Sequence, residues 1–123
     1  MLSGLRIQME EIERKIILRL DGRLDAASAS ILDRKINQLI EESHSHIALD
    51  FTRVDYLSSS GMRVLLAATK KLKVVKGHLV LFSLSTEVAE LITLAGFDKI
   101  LHTCSNYMLV SILGSSNRLP QSI

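Results

Sequence analysis

The chain has 123 residues and a formal net charge of +2, so it has the length of one domain and no excess of charge that would favour a nucleic-acid partner. Hydrophobic residues make up 47% and charged residues 23% of the sequence, as in soluble globular proteins, and its apolar runs are far shorter than the ~20 residues that span a bilayer. The single cysteine, Cys104, excludes an intramolecular disulfide, and with His102 it offers too few ligands for zinc. The N-terminus lacks the pattern of a signal peptide, so the sequence predicts a cytoplasmic protein that binds no membrane.

The first predicted elements are two strands joined as a hairpin. Leu5, Ile7 and Met9 alternate with polar residues, which is the period of a strand with one buried face. A short polar turn follows, and residues 15–20 form the second strand. We expect Gly22 to end this strand, because glycine tolerates the positive φ of a tight turn.

A helix, a buried strand and a second helix follow. Asp25 is placed to cap the first helix, whose apolar residues recur at helical spacing until about residue 43. Residues 47–51 have the apolar character of a strand buried on both faces. The second helix covers residues 61–75, and Gly77 is expected to form its C-terminal cap.

The next pair is again a strand and a helix. Residues 79–82 are apolar and predict a further buried strand. Residues 86–94 predict a third helix, with Ser85 or Thr86 as its N-cap and Gly96 as its end.

The chain closes with shorter elements. Residues 100–101 predict a brief edge strand, residues 105–113 a fourth helix, and residues 114–123 a frayed tail. The order ββαβαβαβα predicts an α/β fold with a mixed sheet and helices packed on it, joined by right-handed crossovers. One domain over residues 1–113 would contain all of these elements.

No group of residues has the pattern of a catalytic or metal site. There is no Walker loop and no G-x-G-x-x-G, and Ser60-Gly61 lacks the preceding glycine of a nucleophile elbow. The four histidines lie in no nucleophile or metal motif. Asp21, Asp25 and Asp50 lie near strand ends and could cluster, but carboxylates there usually cap helices. We therefore expect neither an enzyme nor a bound cofactor or metal.

Residues 54–66 read VDYLSSSGMRVLL, with three serines and a glycine between a strand and a helix. One serine is enough for an N-cap, which typically contributes ~1 kcal/mol. Gly61 costs a helix ~1 kcal/mol relative to alanine, a cost explained if a partner must approach the backbone closely. These residues alone leave two readings open, a helix cap and a functional site.

Several motifs together resemble one protein family. Residues 20–25 are similar to L-x-G-x-L-D, residues 47–51 to I-x-L-D-F, and residues 56–66 to a pattern of an apolar pair, D-S-S/T-G, an apolar residue, x and V-L. Gly77 with the strand after it, and residues 94–97, also fit. Over residues 5–113 the chain resembles the anti-sigma factor antagonists, the single-domain members of the STAS (sulphate transporter and anti-sigma antagonist) family.

The resemblance implies that one serine is a phosphorylation switch. Aligned on Gly61, the family's phosphorylated serine is Ser59, and the acid that precedes it in the family is replaced by Ser58. Unphosphorylated, the protein would bind a partner that is both an anti-sigma factor and a serine kinase, and so displace its sigma factor. That partner would bind ATP and magnesium, and a phosphatase would reverse the modification. The protein itself would be a monomer or weak dimer without a cofactor.

The implied partner surface is the serine loop with the outward face of the second helix. Arg63 and Lys70 share a face that is either solvated or in contact with the partner, whereas Leu65 and Leu72 belong to the apolar stripe assigned to the core. An alternative is a constitutive docking subunit of a lipid-transport or stress-signalling complex, which needs no chemistry at the serine. The implied partner-binding residues are Asp25, Ser58, Ser60, Gly61, Met62, Arg63, Leu66, Ala67 and Lys70.

Overall fold

A computed structural model describes residues 4–106 of the chain. Its first two strands, β1 (Leu5–Ile12) and β2 (Lys15–Leu24), form the predicted antiparallel hairpin. The prediction that the second strand ends at Gly22 is wrong. Gly22 has φ +129° at an irregularity in the pairing, where a Cβ would collide with the backbone oxygen of Gly4, and the strand continues beyond it.

The first helix, α1 (Ala26–Glu41), begins where the sequence predicts. Asp25 is its N-cap, and the Asp25 carboxylate and the Ser28 hydroxyl each accept a hydrogen bond from the other's backbone N–H in a capping box. Strand β3 (His46–Leu57) is more than twice as long as predicted, because its second half pairs with the extension of β2. In this half only every third residue is buried, so it lacks the continuous apolar run that marks the first half.

The second helix, α2 (Ser59–Val74), starts two residues earlier than predicted, with Ser58 as its N-cap. Gly77 completes the C-terminal cap by donating its N–H to the Leu72 carbonyl, but the positive φ of this cap belongs to Lys76. Gly77 has another reason to be glycine, since a Cβ there would collide with the backbone oxygen of Ser45.

Strand β4 (His78–Phe82) and helix α3 (Thr86–Leu94) agree with the prediction, with Ser85 as the N-cap and Gly96 at φ +83° after the helix. Strand β5 (His102–Cys104) lies two residues later than the predicted edge strand, which is therefore wrong in position. The predicted fourth helix and tail lie outside the described residues from position 107 onward, and the two described residues of that helix, Ser105 and Asn106, are not helical.

The five strands form one sheet in the order β1-β2-β3-β4-β5, and every neighbouring pair except β1 and β2 is parallel. The predicted fold class is confirmed: a mixed sheet with three helices. The main core joins residues of all three helices to one face of the sheet, around the fully buried Leu49 and Leu81. No helix within residues 4–106 is long and apolar enough to cross a membrane. The parallel strands end at one common edge of the sheet, and α2 begins there.

Candidate functional site

The N-terminus of α2 is tied to the end of β2 through one serine. The Ser58 hydroxyl accepts a hydrogen bond from the Gly61 N–H at 3.1 Å and donates one to the backbone carbonyl of Leu24 at 2.9 Å. The Ser58 N–H donates to the same Leu24 carbonyl, also at 2.9 Å. Both hydrogen-bonding functions of this hydroxyl are therefore in use.

The three serines of the cluster differ in exposure. Ser58 and Ser60 are half-buried, whereas Ser59, the first residue of α2, is exposed. Within residues 4–106 the Ser59 hydroxyl makes no hydrogen bond. Of the three, Ser59 has the hydroxyl that a second protein reaches most easily.

Gly61 is buried against residues of its own chain. A Cβ at this position would lie 2.9 Å from the Leu24 side chain, 2.9 Å from the Leu24 backbone oxygen and 2.9 Å from the Leu57 side chain. The sequence explains Gly61 by the close approach of a partner, but the structure supplies a reason inside the fold. A contact between Gly61 and a partner stays a prediction.

A mostly apolar groove of about 410 Å³ opens beside Ser59, between the start of α2 and the end of α3. It brings together five of the residues predicted from the sequence, which are Ser58, Ser59, Met62, Arg63 and Leu66. Its other wall consists of Leu57, Leu91, Ala95 and Phe97.

The sequence patterns did not predict that residues of α3 would line this groove. The family-like stretch at residues 94–97 was the available signal, but it could not tell which face of α3 meets α2. Leu91 is 43% exposed and Leu94 is 84% exposed, so both present apolar surface to solvent. Leu91 lines the groove, and Leu94 lines a separate depression on the same helix.

Several predicted partner residues lie away from the groove. Asp25 serves the capping box of α1, and hydrogen bonds from the Ser28 N–H and hydroxyl hold the pKa of its carboxyl below the usual value. Ala67 is half-buried and Lys70 is exposed, both farther along α2. Ser60 does not line the groove either.

A second feature missed in the sequence lies near the same edge of the sheet. The guanidinium of Arg23 stacks on the ring of Tyr56, with its central carbon 4.2 Å from the ring centroid. These residues face each other on the adjacent strands β2 and β3, directly before Leu24 and Leu57. Both side chains are exposed, so a cation and an aromatic ring are available to a partner close to Ser58.

The three acidic residues near the strand ends do not form one cluster, because Asp21 and Asp50 line a common cavity of about 370 Å³ and Asp25 does not. Asp50 pairs with Arg19 at 2.9 Å and accepts hydrogen bonds from Thr52; burial alone would raise the pKa of its carboxyl, but these bonds lower it overall. Asp25 belongs to the separate cap of α1. Among residues 4–106, no three histidine, cysteine, aspartate or glutamate side chains are arranged to hold a metal ion.

Comparison with known proteins identifies the family of the chain. The STAS domain family model matches residues 6–108. BtrV of Bordetella bronchiseptica, a protein named as an anti-sigma factor antagonist, is 33% identical over 93 residues, which cover 76% of this chain and 80% of BtrV.

Solved structures show the same fold. The anti-sigma factor antagonist SpoIIAA in its unphosphorylated form superposes with a TM-score of 0.76 at 23% identity, covering 88% of this chain and 96% of SpoIIAA. The phosphorylated form of SpoIIAA, from Bacillus, gives a TM-score of 0.70 at 22% identity, covering 88% and 99%. An anti-sigma factor antagonist from Mycobacterium paratuberculosis gives 0.83 at 19% identity, covering 91% and 95%. The family match, the relative and the fold lead to one conclusion: the chain belongs to the STAS domain family, among its anti-sigma factor antagonists.

Proposed function

We propose that this protein binds an anti-sigma factor that is also a serine kinase, and that phosphorylation of Ser59 releases it. As an anti-sigma factor antagonist it is a binding protein and not an enzyme. The kinase partner would bind ATP and magnesium, a phosphatase would restore the free serine, and the exchange would take place in the cytoplasm.

One observation carries this proposal: Ser59 is exposed beside an apolar groove, and its hydroxyl has no hydrogen bond to the part of the chain that the structure describes. The groove offers a partner the surface of Leu66 and Leu91, whereas Met62, which also lines it, is only 8% exposed and belongs to the core. Ser59 is part of the same lining. Surface of this kind at a helix end fits protein–protein docking, because burial of apolar side chains supplies most of the affinity. SpoIIAA has been solved both with and without its phosphate, which supports a switch of this type.

The physical effect of the phosphate differs between the free and the bound protein. Phosphorylation would add a charge of about −1.5 to −2 at the first residue of α2. In the free protein the helix dipole favours an anion there by typically 0.3–1 kcal/mol, so the fold tolerates it. In the complex the same charge would be buried without a partner, at a cost of roughly 3–5 kcal/mol. Affinity should therefore fall by roughly two to nearly four orders of magnitude, since each 1.4 kcal/mol is about tenfold.

The direct experiment is incubation with the kinase and ATP, followed by mass spectrometry to locate the phosphate. We expect it on Ser59. Ser59→Ala should bind the kinase and resist modification, whereas Ser59→Asp should bind poorly. Ser60→Ala keeps Ser59 and is the control for the position of the phosphate, so we expect it to be phosphorylated on Ser59. Label on a different serine would contradict the assignment, and no label at all would favour the constitutive docking reading.

The groove itself can be tested with two cations on α2. Arg63 lines the groove and Lys70 does not, although both are exposed. Arg63→Gln should weaken binding of the kinase more than Lys70→Gln, and calorimetric titration measures both. Equal effects would mean that charge on the helix matters and the groove does not.

A further inference from the structure

The residue before Ser59 has a role that the family's acid could not fill in the same way. In the family pattern an aspartate precedes the phosphorylated serine, and here this residue is Ser58. Its hydroxyl both accepts from the Gly61 N–H and donates to the Leu24 carbonyl. An ionised carboxylate has only acceptors, so it can replace the first of these bonds but not the second.

The lost bond would join two elements that are distant in sequence. Leu24 ends β2 and Ser58 precedes α2, so this hydrogen bond links the start of the helix to the sheet across 34 residues, beside the bond that the Ser58 N–H donates to the same carbonyl. The backbone bond holds residue 58, and the hydroxyl bond adds the link between the cap side chain and the sheet. With an aspartate, a carboxylate oxygen would face the Leu24 carbonyl oxygen, and two acceptors repel each other. Ser59 follows directly in the chain, and its own hydroxyl has no hydrogen bond to a described residue that would hold it.

We propose that Ser58 is the positioning residue for Ser59: the hydrogen bond that its hydroxyl donates to Leu24 fixes the first turn of α2, and with it the hydroxyl to be phosphorylated. This proposal rests on the proposed function for its biological meaning, although the positioning itself does not depend on a kinase. It also gives a physical reason why a serine stands where the family has an acid.

A cysteine at position 59 tests, without any kinase, whether the side chain of residue 59 is held at the start of α2. Ser59→Cys is combined with Cys104→Ser, so that the introduced thiol is the only one, and its pKa is read from the pH profile of labelling by a disulfide reagent. A thiol held at a helix N-terminus has its pKa lowered from the ordinary value of about 8.5. Loss of the positioning bond should move the pKa back toward that value and slow labelling at pH 7 several-fold.

Four substitutions of Ser58 separate the effect of its hydrogen bonds on the pKa of the thiol from the effect of charge. Ser58→Thr and Ser58→Asn keep both an acceptor and a donor, and they should preserve the lowered pKa of the introduced thiol. Ser58→Ala removes the donor and the acceptor, and Ser58→Asp keeps only the acceptor, so these two variants should raise the pKa of the thiol. The negative charge of Ser58→Asp also raises the pKa of the thiol, and 1 M KCl, with a Debye length of about 3 Å, reduces that contribution because the thiol at position 59 is exposed.

The proposal requires that the difference between the Asp and Asn variants persists in 1 M KCl. A difference that vanishes in salt would overturn it, as would a thiol pKa unchanged by Ser58→Ala. Circular dichroism of each variant checks that the fold is intact. With the kinase and ATP, the wild-type serine at position 59 should then be phosphorylated fastest with Ser, Thr or Asn at position 58. If the wild type takes no phosphate on Ser59, the proposed function fails, while the thiol measurement still decides whether Ser58 positions its neighbour.

Discussion

Substitution of Gly61 tests whether this glycine serves the fold or the partner. In Gly61→Ala the new methyl group would lie 2.9 Å from three atoms of Leu24 and Leu57, closer than van der Waals contact permits. One of the three is the Leu24 backbone oxygen, which already accepts two hydrogen bonds from Ser58 and has little freedom to move. The strain should therefore pass into the junction between β2 and α2.

The magnitude follows from two opposing contributions. Overpacking of a buried site costs about 1–3 kcal/mol, and replacing glycine by alanine in a helix returns up to ~1 kcal/mol. We expect Gly61→Ala to lower the free energy of unfolding by about 1–2 kcal/mol, which for a chain of this length corresponds to a fall in Tm of about 4–8 °C. Gly61→Val, with two further methyl groups, should cost more.

Thermal and urea unfolding followed by circular dichroism measure this effect. Gly4→Ala is the matched control, because a Cβ at Gly4 would meet its nearest neighbours at 3.7 and 3.8 Å, which is ordinary contact. The control should unfold like the wild type. If Gly61→Ala is as stable as the wild type but binds the anti-sigma factor more weakly, the packing argument is refuted and the close approach of a partner explains the glycine.

Two further predictions concern ionisable groups. Burial holds the pKa of His46 and His102 below the ordinary 6.5, so the unfolded chain takes up protons where the folded protein does not. The free energy of unfolding should therefore be steady above pH 6.5 and fall as the pH is lowered below it. In the double variant His46→Gln with His102→Gln the free energy of unfolding should depend less on pH. An unchanged pH dependence would contradict the attribution to these two histidines. Arg19→Gln should lower the free energy of unfolding, measured with urea, by about 1–2 kcal/mol, because it leaves the mostly buried carboxylate of Asp50 without its cation. The loss should not be larger, since the arginine is half-exposed and solvent already screens the pair. Lys71→Gln, which breaks an exposed ion pair, is the control and should cost under about 0.5 kcal/mol; equal losses would show that burial of the carboxylate is unimportant.

The sequence by itself determined the type and order of the elements, because the signals for them are local. Periods of two and of about 3.6 residues marked the strands and helices, and Asp25 and Ser85 marked helix starts by bonds that reach only three residues ahead. Each of these features lies within one turn or one strand.

Interactions between distant parts of the chain were decided only by the tertiary structure. The length of β3 depends on its pairing with the extension of β2, beyond a glycine that the sequence interprets as a strand end. The groove beside Ser59 exists because α3 packs next to α2, and no local pattern tells which face of α3 it will present. The different states of Ser58 and Ser59 are likewise invisible in a run of three serines. The Ser58 hydroxyl donates to the Leu24 carbonyl, 34 residues earlier in the chain, at 2.9 Å, whereas the Ser59 hydroxyl has no hydrogen bond to any residue from 4 to 106.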